Sequence, residues 1–166
     1  MYLYTVDTDY IDYLSKFQDH IWINDENQRL RPYVGIVLDI GGYKYFAPLS
    51  SPKAKHLHMA ERLDFIKLEY RGQLKAVINL NNIIPVPDTL ITKIDIDNLQ
   101  DKNYKDLLNI EMIAIRKKQS IITKNAQSVY SKVTKYGTED KNSKLVTLCY
   151  DFHLLEQKSN EYIDHV

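Results

Sequence analysis

The sequence predicts an α+β fold: an antiparallel sheet from the first half, with peripheral helices and a helical second half. Two observations carry this. Gly41-Gly42 and Arg71-Gly72 each separate a pair of β-patterned runs, which is the mark of hairpins rather than parallel crossovers. From about residue 101 the apolar pattern becomes helical and stays so. Strands first and helices after, with no alternation, is the α+β order. At 166 residues, 44% hydrophobic and 27% charged, the chain is long enough for one domain, residues 1–166, with a sizeable core.

Taken in order, residues 2–6 are β-branched and aromatic and read as a first strand. Asp7-Thr8 then offers a cap for a helix over residues 9–17, with Tyr10, Tyr13, Leu14 and Phe17 at helical spacing. Residues 18–30 are polar and irregular apart from Trp22, a loop long enough to suspect a functional segment. Residues 33–38 form a nearly continuous apolar run, so a central strand, and residues 43–47 return beside it. Residues 65–70 alternate, and residues 74–80 follow as the second hairpin arm. Pro85 and Pro87 should stop any regular element there. Tyr104, Leu107, Leu108, Met112 and Ile115 make one helical stripe, and Ile122, Ala126, Val129, Tyr130 and Val133 another. These are one long helix or two joined near residues 117–120. A polar loop covers residues 136–144, and Asp151 can cap a last short helix bearing Phe152, Leu154, Leu155 and Tyr162.

One stretch breaks a local rule. Ser51-Pro52 is a helix-start signature, the serine capping free N–H groups and the proline sitting where its own N–H is not needed. A helix start favours acidic residues, yet Lys53, Lys55, His56 and His58 follow, with no acid before Glu61. An anion held by Ser50, Ser51 and the lysines relieves that conflict. The plainer reading is a capped turn with solvated lysines.

Composition excludes several classes. Lys+Arg and Asp+Glu are both 22, so a nucleic-acid partner would need a local basic face rather than bulk charge. With only Cys149, no intramolecular disulfide framework exists, and the reducing cytoplasm is the expected compartment. No signal-length or membrane-length apolar run is present. Phosphate-loop and dinucleotide glycine motifs are absent, as are H-E-x-x-H and cysteine pairs. His56-x-His58 points two ways on a helix, and Asp95-Ile96-Asp97 reads as capping, so neither suggests a metal site. What remains is cationic and hydroxylic, suited to a phosphate whose charge grows during reaction.

Tyr4-Thr5-Val6 with Tyr10, the run Gly35-Ile36-Val37, and Tyr45-Phe46-Ala47-Pro48-Leu49-Ser50-Ser51-Pro52-Lys53 resemble the ToxN/AbiQ/CptN toxins of type III toxin–antitoxin systems. Residues 77–85 and 149–156 fit the same pattern in the same order, so the resemblance spans nearly the whole chain. It implies a compact, partly barrel-like sheet core and a metal-independent, sequence-preferring endoribonuclease with no cofactor. Such an enzyme uses the RNA's 2′-hydroxyl as nucleophile and leaves a 2′,3′-cyclic phosphate and a 5′-hydroxyl. The implied setting is phage defence by abortive infection. The implied partners are cellular or phage RNA substrates and a repeated pseudoknot antitoxin RNA, which the toxin processes and which inhibits it in a closed ring of alternating toxin and RNA.

Carried over by position, Ser51 and Lys53 match the family's active-site serine and lysine, Ser50 a phosphate contact, and Tyr10 the N-terminal active-site tyrosine, a proton donor or orienting group. Arg31 stands where relatives can carry a lysine; it can hold a phosphate but cannot act as a base near neutral pH. Lys55, His56, Arg31 and Arg29 are the expected RNA contacts, with tyrosines for base stacking. Arg116, Lys117 and Lys118 either line an RNA groove or complement a helix end. A non-catalytic RNA-binding protein, or an enzyme acting on a small phosphate compound, would use the same basic turn.

Overall fold

The structure is a computed structural model and describes residues 1–22, 30–136 and 143–165. The strands are β1 (Tyr2–Val6), β2 (Tyr33–Ile40), β3 (Tyr43–Ser50), β4 (Phe65–Tyr70), β5 (Gln73–Asn79), β6 (Ile84–Pro85) and β7 (Ile91–Lys93). The helices are α1 (Thr8–Ser15), α2 (Ala54–His58), α3 (Lys102–Tyr136), α4 (Lys144–Leu148) and α5 (Phe152–His165). Every strand pairing is antiparallel, in the order β4-β5-β3-β2-β1-β7, with β6 also paired to β3. The α+β expectation holds. The sheet is open, with β4 and β7 at its two ends, so the barrel-like likeness stops short of closure.

Strand β3 is the pivot. It faces β2 along one side, and on the other it pairs first with β6 (Tyr45↔Pro85, Phe46↔Ile84) and then with β5 (Leu49↔Ile78, Ser50↔Val77). Pro85 was expected to break regular structure, yet it sits in a two-residue strand. A proline is tolerated there because so short a strand at the margin asks little of its missing N–H. Gly41 and Gly42 both have positive φ (59° and 85°), which only glycine adopts at little cost, and so they close the β2–β3 turn. Gly35 has a different reason. A Cβ there would lie 2.2 Å from the Phe46 ring, so the bare backbone lets a fully buried aromatic on β3 press onto β2.

Helix α1 starts where the Asp7 side chain accepts the Tyr10 N–H at 3.0 Å, and it buries Tyr10, Ile11 and Leu14. Asp151 does the same for α5, accepting from the Leu154 N–H at 3.0 Å. The question of one helix or two is settled: α3 is a single helix of 35 residues, roughly 52 Å long. Its buried stripe of Leu108, Met112, Ile115, Ile122, Ala126 and Val129 lies against β4 and β2. Lysine-rich residues 116–118 therefore fall in mid-helix, not in a last turn. Lys118 pairs with Glu61 at 2.6 Å, and Arg116 borders a separate groove beside Tyr2 and Lys93. Among the described residues no helix is long and apolar enough to cross a membrane.

Candidate active site

The rule-breaking stretch leaves the sheet directly. Because Leu49 and Ser50 pair with β5, and the Leu49 N–H reaches the Pro32 carbonyl at 3.0 Å, β3 extends through Ser50. Ser51 and Pro52 follow outside strand and helix, and the helix begins only at Ala54 with an extended Lys53 as its cap. Ser51 is therefore not the capping residue that the local signature indicates; sheet pairing wins over it and moves the helix start along the chain. The cap is completed from the other side. The Lys53 N–H donates to Nδ1 of His56 at 3.1 Å, and the His56 N–H donates to the Lys53 carbonyl at 2.8 Å. With five residues, α2 aligns few peptide dipoles, and one N–H at its start is already engaged. Attraction for an anion here rests on side chains.

Those side chains surround a cavity of about 510 Å³. Ser50, Ser51, Lys53, Lys55, His56 and Arg31 are among its lining residues. Nη1 of Arg31 donates to Ser50 Oγ at 2.8 Å, so the serine keeps its own hydroxyl hydrogen for a further acceptor and is polarised to give it. The Arg31 guanidinium also lies over the Trp22 ring, 4.0 Å from its centroid. Asp64 is the one carboxylate among the described lining residues, and Arg62 grips both its oxygens at 3.1 Å. Arg31, Lys53 and Lys55 thus line the cavity beside one described carboxylate, which Arg62 already engages.

His56 is only 7% exposed and packs edge-on against Phe65. Burial holds its pKa below the ordinary imidazole value, and the neighbouring Lys55, Lys53 and Lys67 add to the effect. Since Nδ1 accepts the Lys53 N–H, the neutral ring carries its proton on Nε2, as a donor and not a base. A depressed histidine pKa implies a sign. Above about pH 6.5 the ring is neutral folded and unfolded; as pH falls through that value the unfolded chain takes up a proton first, and stability is lost. Buried Glu111, pushed up to about 7 by desolvation, works in the opposite direction. The informative measurement is thus a difference. His56→Gln, which keeps the acceptor at this helix position without the titration, is expected to hold its stability relative to wild type better as pH falls below about 6.5. Denaturant midpoints across that range measure it.

One of the expected site residues is not brought to the cavity. Tyr10 is fully buried, its hydroxyl donates to the Pro85 carbonyl at 2.7 Å, and its ring meets Tyr162 at 5.1 Å. Burial pushes its phenol well above the ordinary range. The structure makes it a core tyrosine tying α1 to β6, because the apolar face of α1 packs inward. Arg29 lies outside the described residues. Cys149 is half-buried, and desolvation pushes its thiol up to about 12, which leaves no thiolate for chemistry.

The cavity also holds residues with no role assigned from sequence. Tyr150 donates its hydroxyl to the His20 carbonyl at 2.7 Å, and its N–H to the Asn81 carbonyl at 3.0 Å. Asn81 Nδ2 reaches the Leu148 carbonyl at 3.0 Å, while Asn79 and Asn82 line the wall nearby. These come from the end of β5, the short turn Leu80–Asn82 after it and the chain after α4, and no local spacing signals that they meet. Among the described residues, no cluster of His, Cys, Asp or Glu is placed to hold a metal ion.

Residues 2–160 match the family described as "Toxin ToxN, type III toxin-antitoxin system". The endoribonuclease ToxN of Bacillus thuringiensis subsp. kurstaki is 32% identical over 163 residues, 96% of this chain and 82% of that protein. Among solved structures, a type III toxin selectively inhibited by a non-coding RNA pseudoknot is 32% identical, covers 96% of both chains and superposes with a TM-score of 0.86. AbiQ, a lactococcal anti-phage endoribonuclease of a type III system, is 27% identical over 98% of both chains with a TM-score of 0.82.

Proposed function

Because the chain belongs to the ToxN family of type III toxin–antitoxin toxins, we propose that it is a metal-independent, sequence-preferring endoribonuclease acting as one domain in the cytoplasm. The carrying observation is the cavity at the end of β3, where Ser50, Ser51, Lys53, Lys55 and Arg31 gather two hydroxyls and three cations. That set fits a phosphodiester and offers little to a neutral substrate. In the reaction the RNA 2′-oxygen bonds to the adjacent phosphorus, the bond from phosphorus to the 5′-oxygen breaks, and the 2′-hydroxyl proton ends on the departing oxygen. The products are a 2′,3′-cyclic phosphate and a 5′-hydroxyl.

Ser51 and the Arg31-polarised Ser50 hold the non-bridging oxygens, and Lys53 meets the charge that accumulates on them as phosphorus becomes five-coordinate. Arg31 binds and polarises but cannot take a proton. His56 supplies a hydrogen-bond donor at the wall, while Tyr10 supports the fold behind it. The inhibitory partner is a repeated pseudoknot antitoxin RNA in a closed toxin–RNA ring, a reading supported by the pseudoknot-inhibited relative. Its setting is phage defence, as for AbiQ.

The test is purified protein incubated with RNA in excess chelator. Cleavage with 5′-hydroxyl ends is expected, and Ser51→Ala, at an exposed position outside strand and helix, is expected to lose most of it while staying folded. Tight binding without cleavage by the wild type would instead make this a non-catalytic RNA-binding protein.

A further inference from the structure

Trp22 is the chain's single tryptophan, and 56% of it is exposed at a cavity that also presents Arg31, Lys53, Lys55, Ser50 and Ser51. So large an apolar surface beside cations and hydroxyls is costly to leave in water. Its position is fixed by the site. The Arg31 guanidinium lies 4.0 Å from the ring centroid, and the same guanidinium reaches Ser50 Oγ at 2.8 Å. One guanidinium thus separates the indole from the hydroxyl that meets phosphate. One side of the ring is taken by Arg31, and more than half of the residue is exposed.

We propose that Trp22 is the stacking platform for a nucleobase of the RNA strand whose phosphate occupies the cavity. The proposal rests on the endoribonuclease reading and adds to it a base-binding subsite. Every base has a π-face, so such a platform gives grip more than sequence choice. The cation behind the indole strengthens the arrangement by making a base–indole–guanidinium stack that runs toward Ser50. The Asn79 carboxamide lines the same cavity and makes no side-chain hydrogen bond among the described residues, so it is available to a polar group of the bound strand.

Being the lone tryptophan makes the test direct. The probe is a short single strand with 2′-fluoro sugars, which keeps every base and phosphate but has no nucleophile, alongside the same strand with abasic sugars. A terminal dye reports binding by anisotropy, and Trp22 emission reports contact. The base-bearing strand is expected to quench that emission, and the abasic strand to bind without quenching it. Trp22→Ala is expected to bind the base-bearing strand roughly 5- to 150-fold more weakly, leave abasic binding unchanged, and be largely rescued by Trp22→Phe. Binding of both strands with unchanged emission, or equal weakening of both by Trp22→Ala, overturns the platform and leaves the ribonuclease reading standing. Failure of either strand to bind at low salt overturns both.

Discussion

Lys53→Ala is expected to lower RNA cleavage by about 10²–10³-fold, the usual consequence of removing one group that meets developing negative charge. The position makes the experiment clean. Lys53 serves the fold through its backbone, whose N–H and carbonyl both bond to His56, while its exposed side chain makes no ion pair with any described residue. Truncating that side chain leaves the cap in place, so stability should change by less than about 0.5 kcal/mol. The loss should fall on kcat with KM nearly unchanged, because the five-coordinate phosphorus carries charge that the bound diester does not. Lys53→Arg restores a cation of different shape and should recover only part of the rate. Single-turnover cleavage beside a denaturant curve gives both quantities. A rate within about threefold of wild type would remove Lys53 from the transition state.

The contrast between Lys53 and Tyr10 shows what local sequence can and cannot carry. The run from Ser50 to His56 is contiguous, so its chemistry was legible as soon as its charge conflicted with a helix start. Its conformation was less so. Pairing of Ser50 with Val77 is a contact between distant residues, and it overrides the Ser-Pro cap signal. Tyr10 misleads in the opposite sense: its match to an active-site tyrosine is local, while its burial against Pro85 and Tyr162 is tertiary. The hairpins and the long helix were readable because glycine turns and the apolar period are properties of neighbours in sequence. Tyr150 and Asn81 were invisible as cavity residues because they are 69 positions apart and are joined only by one backbone hydrogen bond.

Glu156→Leu is expected to produce the largest stability loss, on the order of 2–5 kcal/mol, without touching the cavity. Glu156 is 8% exposed, and its Oε1 accepts the hydroxyls of both Tyr45 and Tyr130 at 2.7 Å, while Oε2 lies 3.1 Å from His153 Nδ1. One carboxylate therefore joins β3, α3 and α5. Burial, reinforced by the Glu156 hydrogen bond and charge, raises both phenols, so they remain donors at any ordinary pH. Leucine removes the shared acceptor and leaves the fully buried Tyr45 hydroxyl with only the neighbouring Tyr130 hydroxyl to turn to, while Tyr130 is half-buried and can turn partly to water. Each orphaned buried donor costs about 1–3 kcal/mol, and for a chain of this size the melting midpoint should fall by roughly 5–15 °C. Adding Tyr45→Phe removes the orphan with its partner, and so should recover much of the loss, a coupling that a double-mutant cycle measures directly. Absence of that recovery would mean that Glu156 acts through packing alone. Where the Glu156→Leu protein is still folded, its kcat should match wild type. Lys53→Ala is expected to do the reverse, keeping the fold and losing the rate, so the two variants separate what holds β3 in place from what β3 delivers at its end.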